Sequence, residues 1–159
     1  MDFELKEVEV VDPRQLIQQL KELFSGQPLA VLSTHEHGQP YGNLVAFTAT
    51  QDMKSLFFAT TRATRKFGNI ADDPRVSMLI DNRSNQASDF HDAMAVTATG
   101  SAEEVMGQEK GAFLRPYLTK HPHLEDFVMS PTCALMRVEV DRYYVVSHFQ
   151  HVVVLNMKE

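Results

Sequence analysis

The sequence predicts a mainly β domain, an antiparallel barrel or sandwich carrying two or three peripheral helices. Short apolar or alternating segments recur along the chain, six or more of them, each bounded by turn-forming residues. Only two stretches carry helical periodicity. No repeat, linker or low-complexity segment divides the 159 residues, so a single domain is expected, with an N-terminal arm and helix over 1–26 and a barrel over 29–155.

Taken in order, residues 3–11 alternate as an edge strand or extended arm would. Asp12 and Pro13 then open a helix, the aspartate as N-cap and the proline at the first helical position. Leu16, Ile17, Leu20, Leu23 and Phe24 form its apolar stripe, and the run SGQP (25–28) ends it. Residues 29–34 are apolar on both faces and read as a buried strand. The turn HEHGQP (35–40) leads to a longer strand over 41–50, and QDMK (51–54) turns again. A strand over 56–60, a short helix over 63–71 and a strand over 76–80 follow. Residues 83–92 form a polar loop. The strand over 93–103 is rich in Ala, Thr and Gly, which admits a close neighbour: a ligand, a second subunit or an adjoining barrel strand.

A second helical region covers 107–128, with Phe113, Leu114, Tyr117 and Leu118 as its stripe and HPH (121–123) as a break. Ala134, Met136, Val138 and Val140 then alternate with polar neighbours. Asp141 and Arg142 are read as a turn, after which strands over 143–148 and 152–155 close the sheet.

Charge and composition remove several function classes. With 15 basic against 21 acidic residues the net charge is −6, so sequence-independent nucleic-acid binding is not expected. No apolar run approaches the ~20 residues of a membrane span. The acidic, alternating start MDFELKEVEV is neither a signal nor a transit peptide. The lone Cys133 sits in an apolar run as a buried thiol without a disulfide partner, which fits a reducing cytoplasm.

The junction around 60–73 breaks local rules. Arg62, Arg65 and Lys66 crowd the first turn of a short helix, and Asp72 and Asp73 follow its last turn. Both placements oppose the helix macrodipole, at about 0.3–1 kcal/mol per exposed charge. An anion at the helix N-terminus would reverse that penalty. Free N–H groups, the hydroxyls of Thr60, Thr61 and Thr64, and a guanidinium beside an ammonium suit a phosphate. The plainer alternative is that Thr61 or Thr64 caps the helix and the cations are a solvated face.

The seven histidines come as His35/His37, His121/His123 and His148/His151, with His91 alone. With one cysteine and scattered pairs they lack the spacing of a structural metal site, and no metal is expected. The nucleophile elbow, the Walker loop and the dinucleotide glycine fingerprint are absent. A phosphate cradle without catalytic machinery of its own points to chemistry carried by a bound cofactor.

FATTRATRK (58–66), followed by NIADDPRVSMLI (69–80), resembles the FMN-binding split barrels of the pyridoxamine 5′-phosphate oxidase-like superfamily. Ala59 and Thr60 match that family's Tyr-Thr at a strand end. Thr64, Arg65 and Lys66 match its Ser-Arg-Lys at a helix start. PYGNLVAF (40–47) looks like the strand facing the isoalloxazine ring, and ATGSAEEV (98–105) like the strand leaving the barrel. YYVVSHFQHVV (143–153) and RPYLTKHP (115–122) are similar to the haem-utilisation branch.

The resemblance implies a split β-barrel that binds FMN between two subunits of a homodimer. It implies that Arg65 and Lys66 pair with the phosphate and that Thr60, Thr61 and Thr64 donate hydroxyls to phosphate or ribityl oxygens. Asn43, Leu44, Val45 and Ala46 would give main-chain bonds to the ring edge. The chain has no tryptophan and no Ser-Arg-Pro, so it is not expected to oxidise pyridoxamine phosphate, and Ala59 stands where the family has tyrosine. The implied activity is an FMN-dependent reductase acting on a small molecule. The alternatives are a haem-binding protein using His148 or His151 as iron ligand, and a flavin-binding module without turnover.

Overall fold

The structure, a computed structural model, describes residues 11–148 and 151–158. The strand or arm expected over 3–11 lies outside the described residues except for Val11. Helix α1 (Pro13–Gly26) starts as its sequence dictates: the Asp12 carboxylate accepts from the Arg14 N–H at 2.9 Å, and Leu16, Leu20, Leu23 and Phe24 are buried. After it come β1 (Leu29–Glu36), β2 (Gln39–Ala49), β3 (Ser55–Thr61), α2 (Arg65–Asp72), β4 (Arg75–Asp81), α3 (Asp89–Asp92), β5 (Ala95–Glu104), α4 (Gly107–Lys120), a 3-10 turn (Pro122–Leu124), α5 (Glu125–Met129), β6 (Cys133–Ser147) and β7 (His151–Asn156).

The strands run in the order β3-β2-β1-β4-β5-β6-β7, and β3 also pairs with β6. That extra pairing closes six strands into an antiparallel barrel and leaves β7 outside it. Inward-facing Leu32, Phe47, Leu56, Phe58, Met78, Ile80, Val96, Ala98, Val138 and Tyr143 fill the interior, and α1 packs on the same cluster. A second cluster lies outside the barrel, where Phe57, Ala59, Cys133 and Leu135 meet Tyr117 and Val128 from the helices. Cys133 is buried there, as its apolar surroundings predicted.

Two expectations about strands change. Residues 29–34 are not buried on both faces: β1 alternates, with Ala30, Leu32 and Thr34 inside and Val31 and Ser33 half-exposed. Burial on both faces falls instead on β3 and on the start of β6 paired with it, because the helices cover their outer face. Nor do Asp141 and Arg142 form a turn. β6 runs unbroken through them, opposing Thr99 to Arg142 and Gly100 to Val140, so Asp141 is the extra residue of a bulge. At the bulge, β6 passes from pairing with β3 (133–139) to pairing with β7 (142–147). The small residues of β5 serve this neighbour: a Cβ on Gly100 would collide with the Glu139 carbonyl group.

The last turn of α4 is tied to the rest of the chain through main-chain carbonyls. Pro28 lies opposite Phe47 at the end of the β1–β2 ladder and has no N–H to give. The buried His121 supplies the missing bond, its Nε2 lying 2.8 Å from the Phe47 oxygen. Burial holds the His121 pKa below the ordinary value, helped by the nearby Lys120 and His123 charges and opposed by the Phe47 carbonyl. The unfolded chain therefore binds this proton more readily, and stability falls as pH drops through about 6.5, levelling off below the folded value. His121→Ala should cost about 1–3 kcal/mol at pH 8 by leaving that carbonyl unpaired. In urea titrations the gap between variant and wild type should narrow on acidification.

Candidate functional site

The ladder between β2 and β3 is short. It pairs Phe47 with Phe58, Thr48 with Phe57 and Ala49 with Leu56, and then the strands part. β2 continues alongside β1 to Gln39, while β3 continues alongside β6 to Thr61. Peptide groups alternate sides along a strand, so register decides which of them face the opening. Phe47 donates to Pro28 on the β1 side, and Thr50 donates to Ser55 on the β3 side. Leu44 and Ala46 therefore direct their N–H and C=O groups into the opening, whereas Asn43 and Val45 spend theirs on β1.

A cavity of about 290 Å³ occupies this opening. Of the residues expected to bind cofactor, Leu44, Val45, Ala46, Thr60, Thr61, Thr64 and Lys66 line it. Arg65 and Asn43 do not. The Arg65 guanidinium lies over the Tyr41 ring, 5.6 Å from its centroid, on an exposed face. The Asn43 side chain lies on the same inward face as buried Val45 and Phe47, and its Oδ1 has no hydrogen-bond partner among the described residues.

The cations are not equivalent. Arg62 forms a two-pronged pair with Glu104, both bonds at 2.9 Å, and donates to the Pro131 carbonyl. That fork makes Arg62 a tie between β3, β5 and the segment before β6, and holds the Glu104 carboxyl below its ordinary range. Lys66 has no acidic partner among the described residues, is half-buried, and has its pKa lowered by burial. Asp73, at the other end of α2, is engaged by Arg75 and by His35 Nε2 at 3.0 Å, which hold its carboxyl well below the usual range.

The threonines divide as well. Thr64 is the N-cap: its hydroxyl accepts from the Phe67 N–H at 3.3 Å and donates to the Thr61 carbonyl at 3.0 Å. Thr60 and Thr64 hydroxyls are 2.8 Å apart, so Thr60 is spent in the same cluster. The Thr61 hydroxyl makes no hydrogen bond within the described chain. The helix-capping reading thus holds for Thr64, and at the cavity Thr61 and Lys66 carry the uncommitted polar groups.

Tyr117, Leu124 and Phe127 also line the cavity. In sequence Tyr117 belongs to an ordinary apolar stripe, because nothing local separates a core tyrosine from one that reaches a cavity. Its hydroxyl donates to the Ala46 carbonyl at 3.0 Å, and burial raises its pKa to about 12.

A second cavity of about 290 Å³ is lined by Lys21, Lys120, Thr48 and Thr50. There the Lys120 ammonium donates to the Phe24 carbonyl at 2.8 Å and lies 3.9 Å from the Phe47 ring centroid. Burial lowers its pKa to about 8. Those contacts fasten α4 to the C-terminal end of α1 and β2, an anchoring role.

His148 and His151 flank the β6–β7 connection, at the end of β6 opposite Cys133, which pairs with Thr61 beside the cavity. Within one chain the cavity has neither of them. Among the described residues no cluster of three potential metal ligands occurs, and no helix is long and apolar enough to cross a membrane.

Comparison with known proteins agrees with this architecture. The family model described as pyridoxamine 5′-phosphate oxidase matches residues 16–147. No curated protein matches the sequence. A heme binding protein from Mycobacterium smegmatis superposes with a TM-score of 0.79 at 19% identity, over 92% of this chain and 60% of that one. The chain thus spans about three fifths of the mycobacterial protein. General Stress Protein 26 from Bacillus anthracis gives 0.69 at 21% identity, over 90% and 99%. A FAD-binding protein from Mesorhizobium loti gives 0.64 at 15% identity, over 80% and 90%. At these identities the likeness is one of fold.

Proposed function

The chain belongs to the pyridoxamine 5′-phosphate oxidase family, and on that premise we propose that it binds FMN in the opening between β2 and β3. We propose further that it works as a flavin-dependent reductase of a small molecule, in a homodimer and in the cytoplasm. The observation that carries the reading is Lys66, a half-buried ammonium without an acid among the described residues, beside the N-terminus of α2 in a cavity walled by an open strand edge. A phosphate satisfies the ammonium and the helix end together. The Leu44 N–H and C=O and the Ala46 N–H suit the edge of a planar heterocycle.

Flavin supplies reversible hydride or single-electron transfer, and the chain's part is to anchor, orient and exclude water. Lys66 and Thr61 hold the phosphate end, and the β2 edge holds the ring end. The chain has no tryptophan and no Ser-Arg-Pro, which speaks against pyridoxamine phosphate as substrate. The visible spectrum and native mass of the purified protein test the reading. Flavin bands with one FMN per chain support it. A Soret band instead would favour haem, as in the mycobacterial neighbour, and would turn attention to His148 and His151.

The dimer rests on the outer face of the sheet. Register places Leu44, Val31, Leu79, Thr97, Tyr144 and Val154 in one row across six strands. Leu44 is 64% exposed and Val154 54%. This apolar stripe begins at the cavity wall, so a second copy covering it would also close over the site. Val154→Glu should shift sedimentation from dimer to monomer and weaken FMN; a wild-type monomer that binds FMN would refute the shared site.

A further inference from the structure

Tyr117 stands where a ladder bond is missing. Extending the β2–β3 register past Phe47 and Phe58 would set Ala46 opposite Ala59. By the alternation of peptide groups along β2, that would be a pair exchanging both N–H to O=C bonds. The strands do not make it. The Tyr117 hydroxyl donates to the Ala46 carbonyl at 3.0 Å, and by the same alternation the Ala59 N–H faces the opening in which that hydroxyl sits. A side chain from α4 has thus entered the bond that would otherwise join the two strands.

We propose that the Tyr117 hydroxyl is the wedge that keeps this barrel split, relaying the Ala59 N–H to Ala46 C=O bond and leaving the Ala46 N–H and the Leu44 peptide groups for a planar ligand. It is a positioning residue for the ring-binding edge, and the ligand part of the inference rests on the flavin reading above. The phenol satisfies both backbone groups, so parting the strands leaves no orphaned donor or acceptor at Ala59 and Ala46. Its ring fills the width that separates them.

The wedge cannot withdraw easily, because two other side chains on the same stretch hold main-chain carbonyls: Lys120 at Phe24 and His121 at Phe47. With its pKa raised to about 12, the phenol stays protonated at working pH and remains a donor to Ala46. A tyrosine that merely filled the core would affect stability alone. The wedge also sets the exchange of one amide and the affinity for one end of the ligand.

The test is Tyr117→Phe in the full chain, with amide exchange followed without ligand and riboflavin and FMN binding followed by flavin fluorescence. The phenyl ring still spaces the strands but relays nothing, so the Ala59 amide should exchange about tenfold faster or more, with Leu32 in the β1–β2 ladder unchanged. Riboflavin and FMN should both weaken by about tenfold, in equal ratio, because the phosphate contact is untouched. Unchanged exchange at Ala59 overturns the wedge, and so does a loss confined to FMN. If the wild type takes up no flavin, the flavin reading fails while Ala59 exchange still decides the wedge. If the variant does not fold, the wild type answers by NMR: a slowly exchanging Tyr117 hydroxyl proton close to the Ala59 amide supports the proposal, and its absence overturns it.

Discussion

Gly100→Ala should destabilise the protein by about 3–4 kcal/mol, near the upper end for a single methyl group. The added Cβ would overlap the Glu139 carbonyl oxygen and lie 2.9 Å from its carbon and 3.2 Å from the Val140 Cα. All three are backbone atoms, so no rotamer change relieves the clash. The position is where β6 carries its extra residue and turns from β3 to β7. Moving it would strain barrel closure itself. Gly111→Ala is the control, since nothing lies within 4 Å of its Cβ position in α4. It should stabilise by about 0.5–1 kcal/mol through helix propensity. Urea denaturation measures both, and a cost below about 1 kcal/mol at Gly100 would refute the close approach.

Lys66→Ala should lower FMN affinity by roughly 10–100-fold while changing riboflavin less than about threefold, the range expected for a charge-assisted bond to phosphate. The ammonium is half-buried, its pKa is lowered by burial, and no carboxylate answers it among the described residues. An anion is therefore the partner that suits this ammonium. FMN affinity should also fall with added salt. Arg65→Ala should cost less, because that guanidinium is exposed and lies over Tyr41. Arg62→Ala should cost stability rather than binding, since its fork holds Glu104 and the Pro131 carbonyl. Equal losses for FMN and riboflavin at Lys66 would dismiss the phosphate role.

Those three cations show how far local sequence reaches. All stand together at one helix start and look alike there. Their difference comes from partners such as Glu104, 42 positions away, which no window around the junction contains. The main-chain contacts follow the same logic. The resemblance marks the stretch 43–46 as a candidate ring-facing strand, but only the register against β1 and β3 shows that Leu44 and Ala46 face the opening. Tyr117 was invisible as a site residue because its partner, Ala46, lies 71 positions upstream.

By itself the sequence determined what short-range physics controls. Alternation and turn residues set the strands, Asp12 with Pro13 set the first helix, and the concentration of threonines and cations around 60–66 marked the anion-binding candidate. Tertiary structure decided the rest: that residues 141–142 bulge rather than turn, that β3 and the start of β6 are covered on both faces, and which polar groups remain uncommitted. The reason is that hydrogen bonds and ion pairs are saturable. Whether a donor is available depends on what the folded chain has already brought to it, and that is a property of long-range contacts rather than of neighbours in sequence.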